Sequence, residues 1–136
     1  MNNEKDDFIN TYGFGDCFLL AFSLASKYNL DIGFIETMPS CTPVHAFVVK
    51  NGKSIDAHGK RSFQSTLKEY EYALSEYPDE DELDISIMSS EDGLNHLSFW
   101  SGESFERNDE IATLFHENYP KISLSEKIKR KPKLSI

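Results

Sequence analysis

The stretch Val44-His45-Ala46-Phe47-Val48-Val49-Lys50-Asn51-Gly52-Lys53-Ser54-Ile55-Asp56-Ala57-His58 holds two runs of strand-forming residues separated by Asn-Gly. Asn-Gly is a strong hairpin signal, because a type I′ turn needs positive φ at both central positions. Val44–Lys50 is therefore predicted as a strand, with Lys53–Ala57 returning antiparallel to it. Counting outward from the turn pairs Lys50 with Lys53, Val49 with Ser54, Val48 with Ile55, Phe47 with Asp56 and His45 with His58. Side chains alternate across a strand, so His45, Phe47, Val49, Ser54, Asp56 and His58 share one face. Ala46, Val48, Ile55 and Ala57 share the other, which is apolar and reads as core. Asp56 lies diagonal to His45, about 7–8 Å away by backbone, which a side-chain hydrogen bond can span.

Working outward, Asp31–Glu36 reads as a short strand. Thr37–Pro43 holds two prolines and reads as a loop. Upstream, Cys17–Lys27 is apolar almost all round and free of Gly and Pro, the pattern of a helix buried inside a domain. Asp16 is placed to cap its first turn, and Asn29 to end it in the left-handed conformation. Tyr12–Asp16 carries two glycines and reads as a turn after an extended or loosely helical lead-in. Downstream, Arg61–Ser75 is predicted helical, with Thr66 and Glu69 as a capping box. Tyr77–Glu82 is an acidic loop, Leu83–Met88 a strand and Asn108–Asn118 a helix stopped by Pro120. Ser89–Arg107 fits no pattern clearly. This order implies an α+β domain, with a buried helix and flanking helices on a small antiparallel sheet.

The whole chain has 136 residues, one domain's worth, with 39% hydrophobic residues and 12% aromatics, enough for one core. No apolar run approaches the roughly 20 residues of a membrane helix. The start, Met1 to Asp7, is polar and acidic and unlike a signal peptide, so a cytoplasmic, bacterial or phage-sized protein is expected. The net charge is −9, with 14 bases and 23 acids. Five of the bases stand in Ser125–Ile136 beside one acid, which leaves nine bases against 22 acids in residues 1–124, a net −13. Residues 1–124 are thus read as the domain and 125–136 as a basic tail dispensable for folding. An acidic body of this kind is not expected to bind nucleic acid. Cys17 and Cys41, the only two cysteines, do not make a disulfide framework.

Cys17 opens the buried helix, where free amides and the helix dipole favour an anion. A thiol nucleophile needs a base, and an imidazole oriented by a carboxylate is the usual solution. Cys17, His45 and Asp56 supply all three groups. Gly15-Asp16-Cys17 before an apolar helix, then Val44-His45-Ala46-Phe47-Val48, then Ile55-Asp56-Ala57-His58-Gly59, resembles the papain-like and transglutaminase-like thiol enzymes. More closely, it is similar to a loose group of small bacterial and phage proteins with a Gly-Asp-Cys … His … Asp-x-x-Gly pattern. The resemblance covers Gly13–Gly59. It implies a small papain-like fold with Cys17 as nucleophile, His45 as base and Asp56 as orienting acid, acting on a protein or peptide amide without a cofactor. Papain-like peptidases carry a Gln shortly before the Cys; Asn10 and Thr11 occupy that stretch here. The oxyanion donors would then be the Cys17 amide with Tyr12 or a glycine amide such as that of Gly15. Asp16 and His58 complete the expected binding set.

Other readings stand beside this one. Cys17 and His45 are also compatible with an ordinary core. A non-enzymatic binding or inhibitory protein on the same fold is the runner-up. Zinc on Cys17, His45, His58 and Cys41 lacks any close-spaced ligand pair, and no metal is expected. Phe99, Trp100 and Phe105 are expected to pack in the core. His96 and His116 have no companions that suggest chemistry.

Overall fold

A computed structural model of the chain describes residues 4–14, 16–101 and 108–124. Its elements are α1 (Glu4–Phe14), α2 (Cys17–Tyr28), β1 (Asp31–Met38), β2 (Thr42–Lys50), β3 (Lys53–Asp56), β4 (Gly59–Arg61), α3 (Phe63–Glu69), a 3-10 helix (Glu71–Glu76), β5 (Glu82–Met88), α4 (Ser90–Ser101) and α5 (Asp109–Asn118). The strands form one antiparallel sheet in the order β4-β3-β2-β1-β5. The α+β architecture read from the sequence is therefore present. The Asn51-Gly52 turn has φ of 55° and 75°. It sets the predicted register, Lys50 against Lys53, Val49 against Ser54 and Val48 against Ile55. Among the described residues, no single helix is long and apolar enough to cross a membrane.

The sheet is covered on both faces. On one, Ile32, Phe34, Ala46, Val48, Ile55 and Ala57 pack beneath Leu20, Leu24, Ala25, Leu97, Ile111 and Phe115 of α2, α4 and α5. Phe34, Leu24 and Phe115 are fully buried, and burying such a side chain contributes roughly 1.5–3 kcal/mol. Gly93 lets α4 come down onto β1, since a β-carbon there would meet the Ile32 side chain at 2.7 Å. On the other face a smaller cluster of Ile35, Phe47 and Tyr70 gathers Val44, Val49, Phe63, Leu67, Leu83 and Ile85. Here Gly33 leaves room for the Phe47 ring, which a β-carbon would strike.

Several expectations change. Residues 4–14 form a helix, so Gly13 lies inside α1. β1 and β2 run on to Met38 and from Thr42, which shrinks the proline loop to Pro39-Ser40-Cys41; main-chain pairing across Thr37 and Thr42 outweighs the local proline signal. Arg61 ends β4 rather than starting a helix. Ser62, not Thr66, caps α3, accepting from the Ser65 amide at 3.1 Å. Thr66 is instead fully buried and hydrogen-bonded to Ser54, so the capping box does not form. Asp16 precedes α2 without any side-chain capping bond. Asn29 does end α2 in the left-handed region, φ 56°, with its N–H returned to the Ala25 carbonyl. Phe99 and Trp100 are exposed on α4 rather than buried, because that helix turns Gly93 and Leu97 to the sheet. Gly15, Phe105 and the tail lie outside the described residues.

Candidate active site

β2 enters the sheet through a bulge: Ile35 pairs with His45, but Glu36 pairs with Pro43. The bulge leaves His45 on the smaller-cluster face, paired with Ile35 and beside Phe47. β3 ends at Asp56, where Asp56-Ala57-His58-Gly59 turns the chain into β4 and pairs Asp56 with Gly59. Gly59 carries φ 94°, a backbone that glycine adopts without strain. The Tyr119 ring packs against Gly59, and its hydroxyl donates to the Ala57 carbonyl at 2.7 Å.

The predicted diagonal pair forms. His45 Nε2 lies 2.8 Å from Asp56 Oδ2, with His45 0% and Asp56 2% exposed. On the polar face of the hairpin His45, Ser54 and Asp56 are buried and His58 is partly exposed, with Phe63 and Leu67 of α3 packed against the smaller cluster on that face. Tyr70 stacks on the His45 ring, centroids 4.1 Å apart at 18°. Asp56 has a full set of donors: the His58 amide at 2.9 Å on Oδ1, and Arg61 at 3.2 Å beside His45 on Oδ2. Arg61 also reaches Glu69 at 3.1 Å.

His45 Nδ1 is the nitrogen left over. It is buried with no close, well-aligned partner among the described residues, and the Cys17 side chain comes within hydrogen-bonding reach of the ring. Burial opposes the imidazolium, but the hydrogen bond that His45 donates to Asp56, its hydrogen bond with Cys17 and the electrostatic attraction of both groups outweigh it and push the His45 pKa up to about 9. Burial likewise opposes the Asp56 carboxylate; His45, Arg61 and the His58 amide reverse that and hold it below its ordinary value. Tyr70 is pushed far up, first by burial and then by the charges of Asp56, Cys17 and Glu69. Cys17 is thus brought to the same place as His45 and Asp56. Its own exposure is 9%.

The remaining predicted residues are placed differently. His58 does not pair across from His45. It sits in the β3–β4 turn, with ring nitrogens 3.8 Å from Asp56 and from Glu69. Tyr12 packs on Phe8, centroids 5.2 Å apart, and its hydroxyl is pushed up by burial and then by Asp16. Asp16 is exposed, bound through its amide to the Thr11 carbonyl at 2.7 Å. Cys41 is exposed at the β1–β2 turn, away from Cys17. Among the described residues, no three His, Cys, Asp or Glu side chains converge as a metal site. Arg61, Glu69 and Tyr70 are the partners that sequence reasoning missed. A signal for Arg61 existed: Asp-x-x-Gly is a four-residue turn pattern, and such a turn folds position 61 back beside position 54, on the face of Asp56.

No family model, curated protein or solved structure matches this chain.

Proposed function

We propose that the chain is a thiol-dependent amide or acyl hydrolase, deamidase or acyl transferase of papain-like design, acting on a protein or peptide amide. The observation that carries this reading is the buried His45–Asp56 pair with the Cys17 side chain reaching the same imidazole ring. The His45 imidazolium, held to about pH 9, is a cation beside the thiol and a proton donor through the neutral range. Attack of the Cys17 sulfur on an amide carbonyl forms the carbon–sulfur bond. His45 gives its proton to the departing nitrogen, leaving a thioester. Water, or an amine in acyl transfer, then attacks that thioester while His45 takes its proton, and the carbon–sulfur bond breaks, releasing the acyl product and returning the Cys17 sulfur. Asp56 orients the ring, and Arg61 steadies Asp56. The Cys17 amide, first in α2 and without an intrahelical acceptor, is the oxyanion donor this chain offers.

A second reading, a non-enzymatic binding protein on the same fold, is favoured by one observation. Cys17 is 9% and His45 0% exposed, and attack on a macromolecular amide needs the sulfur reachable. Alkylation separates the two. With iodoacetamide at pH 7, the enzyme reading expects Cys17 to react faster than the exposed Cys41, and His45→Ala to slow Cys17 roughly 100-fold, the lower end of general-base assistance. Protection of Cys17 until the protein unfolds, with Cys41 labelled first, would sink the enzyme reading and leave the binding protein. Acetyl transfer from p-nitrophenyl acetate onto Cys17, followed by intact mass, checks thioester formation directly.

A further inference from the structure

At the end of α2 remote from Cys17 lies a cavity of about 700 Å³, between the C-terminus of that helix, the β2–β3 turn and the segment after α5. Small-molecule sites run to roughly 300–1,000 Å³. Tyr28, in the cavity's lining, stands eleven residues along α2 from Cys17, about 17 Å at 1.5 Å per residue, so the cavity is not part of the thiol site. Its lining includes Tyr28, Asp31, Asn51 and three lysines, Lys50, Lys60 and Lys121.

The lysines stand out against the charge of the chain. Residues 1–124 carry nine bases and 22 acids, yet a third of those bases converge on one cavity that contains a single carboxylate, Asp31. Neither Lys60 nor Lys121 is ion-paired with a carboxylate among the described residues. Lys50 is held by the Ser123 carbonyl at 3.0 Å, which anchors its ammonium at the rim. Three like charges brought together repel one another, and an anion relieves that repulsion. Three lysines less Asp31 leave two positive charges. A phosphate monoester carries about −1.5 to −2 at pH 7, and lysine binds phosphate well as a point charge.

We propose that this cavity binds a phosphate-bearing small molecule through Lys50, Lys60 and Lys121. The site is independent of the thiol chemistry, and its test involves no catalysis. The ¹⁵N-labelled full chain is titrated by NMR with inorganic phosphate, with AMP and with uncharged adenosine, in low salt. Saturable shifts at Asn51, Lys60 and Lys121 are expected with phosphate and AMP and not with adenosine. Tighter binding of AMP identifies an ester as the ligand; equal binding identifies free phosphate. Lys60→Ala and Lys121→Ala should each weaken binding about fivefold or more, as expected for losing one charged hydrogen bond. Lys53→Ala, at the same turn but outside the cavity, and Lys129→Gln, in the tail, should leave it unchanged. Absence of saturable shifts would overturn the proposal. So would equal weakening by Lys53→Ala or Lys129→Gln, which would mean only diffuse attraction to positive charge. Amide spectra report whether each variant stays folded.

Discussion

The His45–Asp56 pair should make stability fall on the alkaline side of neutrality. The His45 pKa is raised from 6.5 to about 9 in the folded chain. A group raised on folding stabilises fully below its unfolded pKa and loses that contribution as pH climbs through the folded value. The window is therefore pH 6.5 to 9, and the size is ~3 kcal/mol at about 1.4 kcal/mol per pH unit. Part of the rise comes from Cys17, and that part operates only while the thiol is ionised, so the figure is an upper bound. Asp56, held below its ordinary value, gives the opposite limb: its contribution is complete above the unfolded carboxylate pKa and disappears as pH falls through the folded one. Both limbs describe one interaction and are not added. The assay is urea unfolding at half-unit steps from pH 6 to 10, compared with His45→Gln and Asp56→Asn. Wild type should lose up to ~3 kcal/mol, near 10 °C in Tm for a chain of this size. The variants should be flat across that window, and each less stable at pH 6.5, because removing one partner strands the other in the interior. Should a variant fail to fold, the ¹⁵N imidazole titration of wild type gives the His45 value directly. A flat wild-type profile, or His45 titrating below 7, would refute the reasoning.

Three packing predictions follow from the smaller cluster, all read by urea midpoint. Gly33→Ala should cost ~1–3 kcal/mol by overpacking against the Phe47 ring, and Phe47→Leu in the same chain should recover part of it. Thr66→Val should cost ~1–3 kcal/mol by leaving the buried Ser54 hydroxyl short of its partner; the double variant with Ser54→Ala should cost less than the two single losses combined. Tyr70→Leu should lower the apparent His45 pKa stability window least and total stability most, because the stacked ring contributes ~1 kcal/mol beyond its area, whereas Tyr70→Phe keeps the stack and should be milder.

The sequence made the hairpin legible because Asn51-Gly52 carries its own backbone requirement, and register follows from a fixed turn by counting. That count delivered the His45–Asp56 contact from strand parity alone. It failed one step further out, at His58, because Asp56 begins a second turn and the ladder stops there. Ser90–Ser101 was unreadable as a helix because Gly93 lowers helix propensity locally, while its reason for being there, the approach of Ile32, is tertiary. Asp16 failed as a cap because its backbone stands at φ −109°, ψ 38°, outside the extended region that capping residues favour, and spacing along the sequence does not reveal that. The α3 layer over the polar face was hidden most deeply. Thr66 looks like a capping residue by spacing, and only the three-dimensional arrangement turns it inward to Ser54.

Parity across the sheet has a mechanical consequence. His45 and Asp56 ride on one hairpin and face the smaller cluster, whereas Cys17 is carried by α2, whose body rests on the opposite face with Ala46 and Val48. Base and acid therefore move together as one piece, and the sulfur belongs to another. Their alignment depends on how the helix is seated on β2. A shift of that seat by the width of one bond would change the sulfur-to-ring separation while leaving the imidazole–carboxylate contact untouched, so reactivity of the thiol and integrity of the pair are separable properties of this molecule.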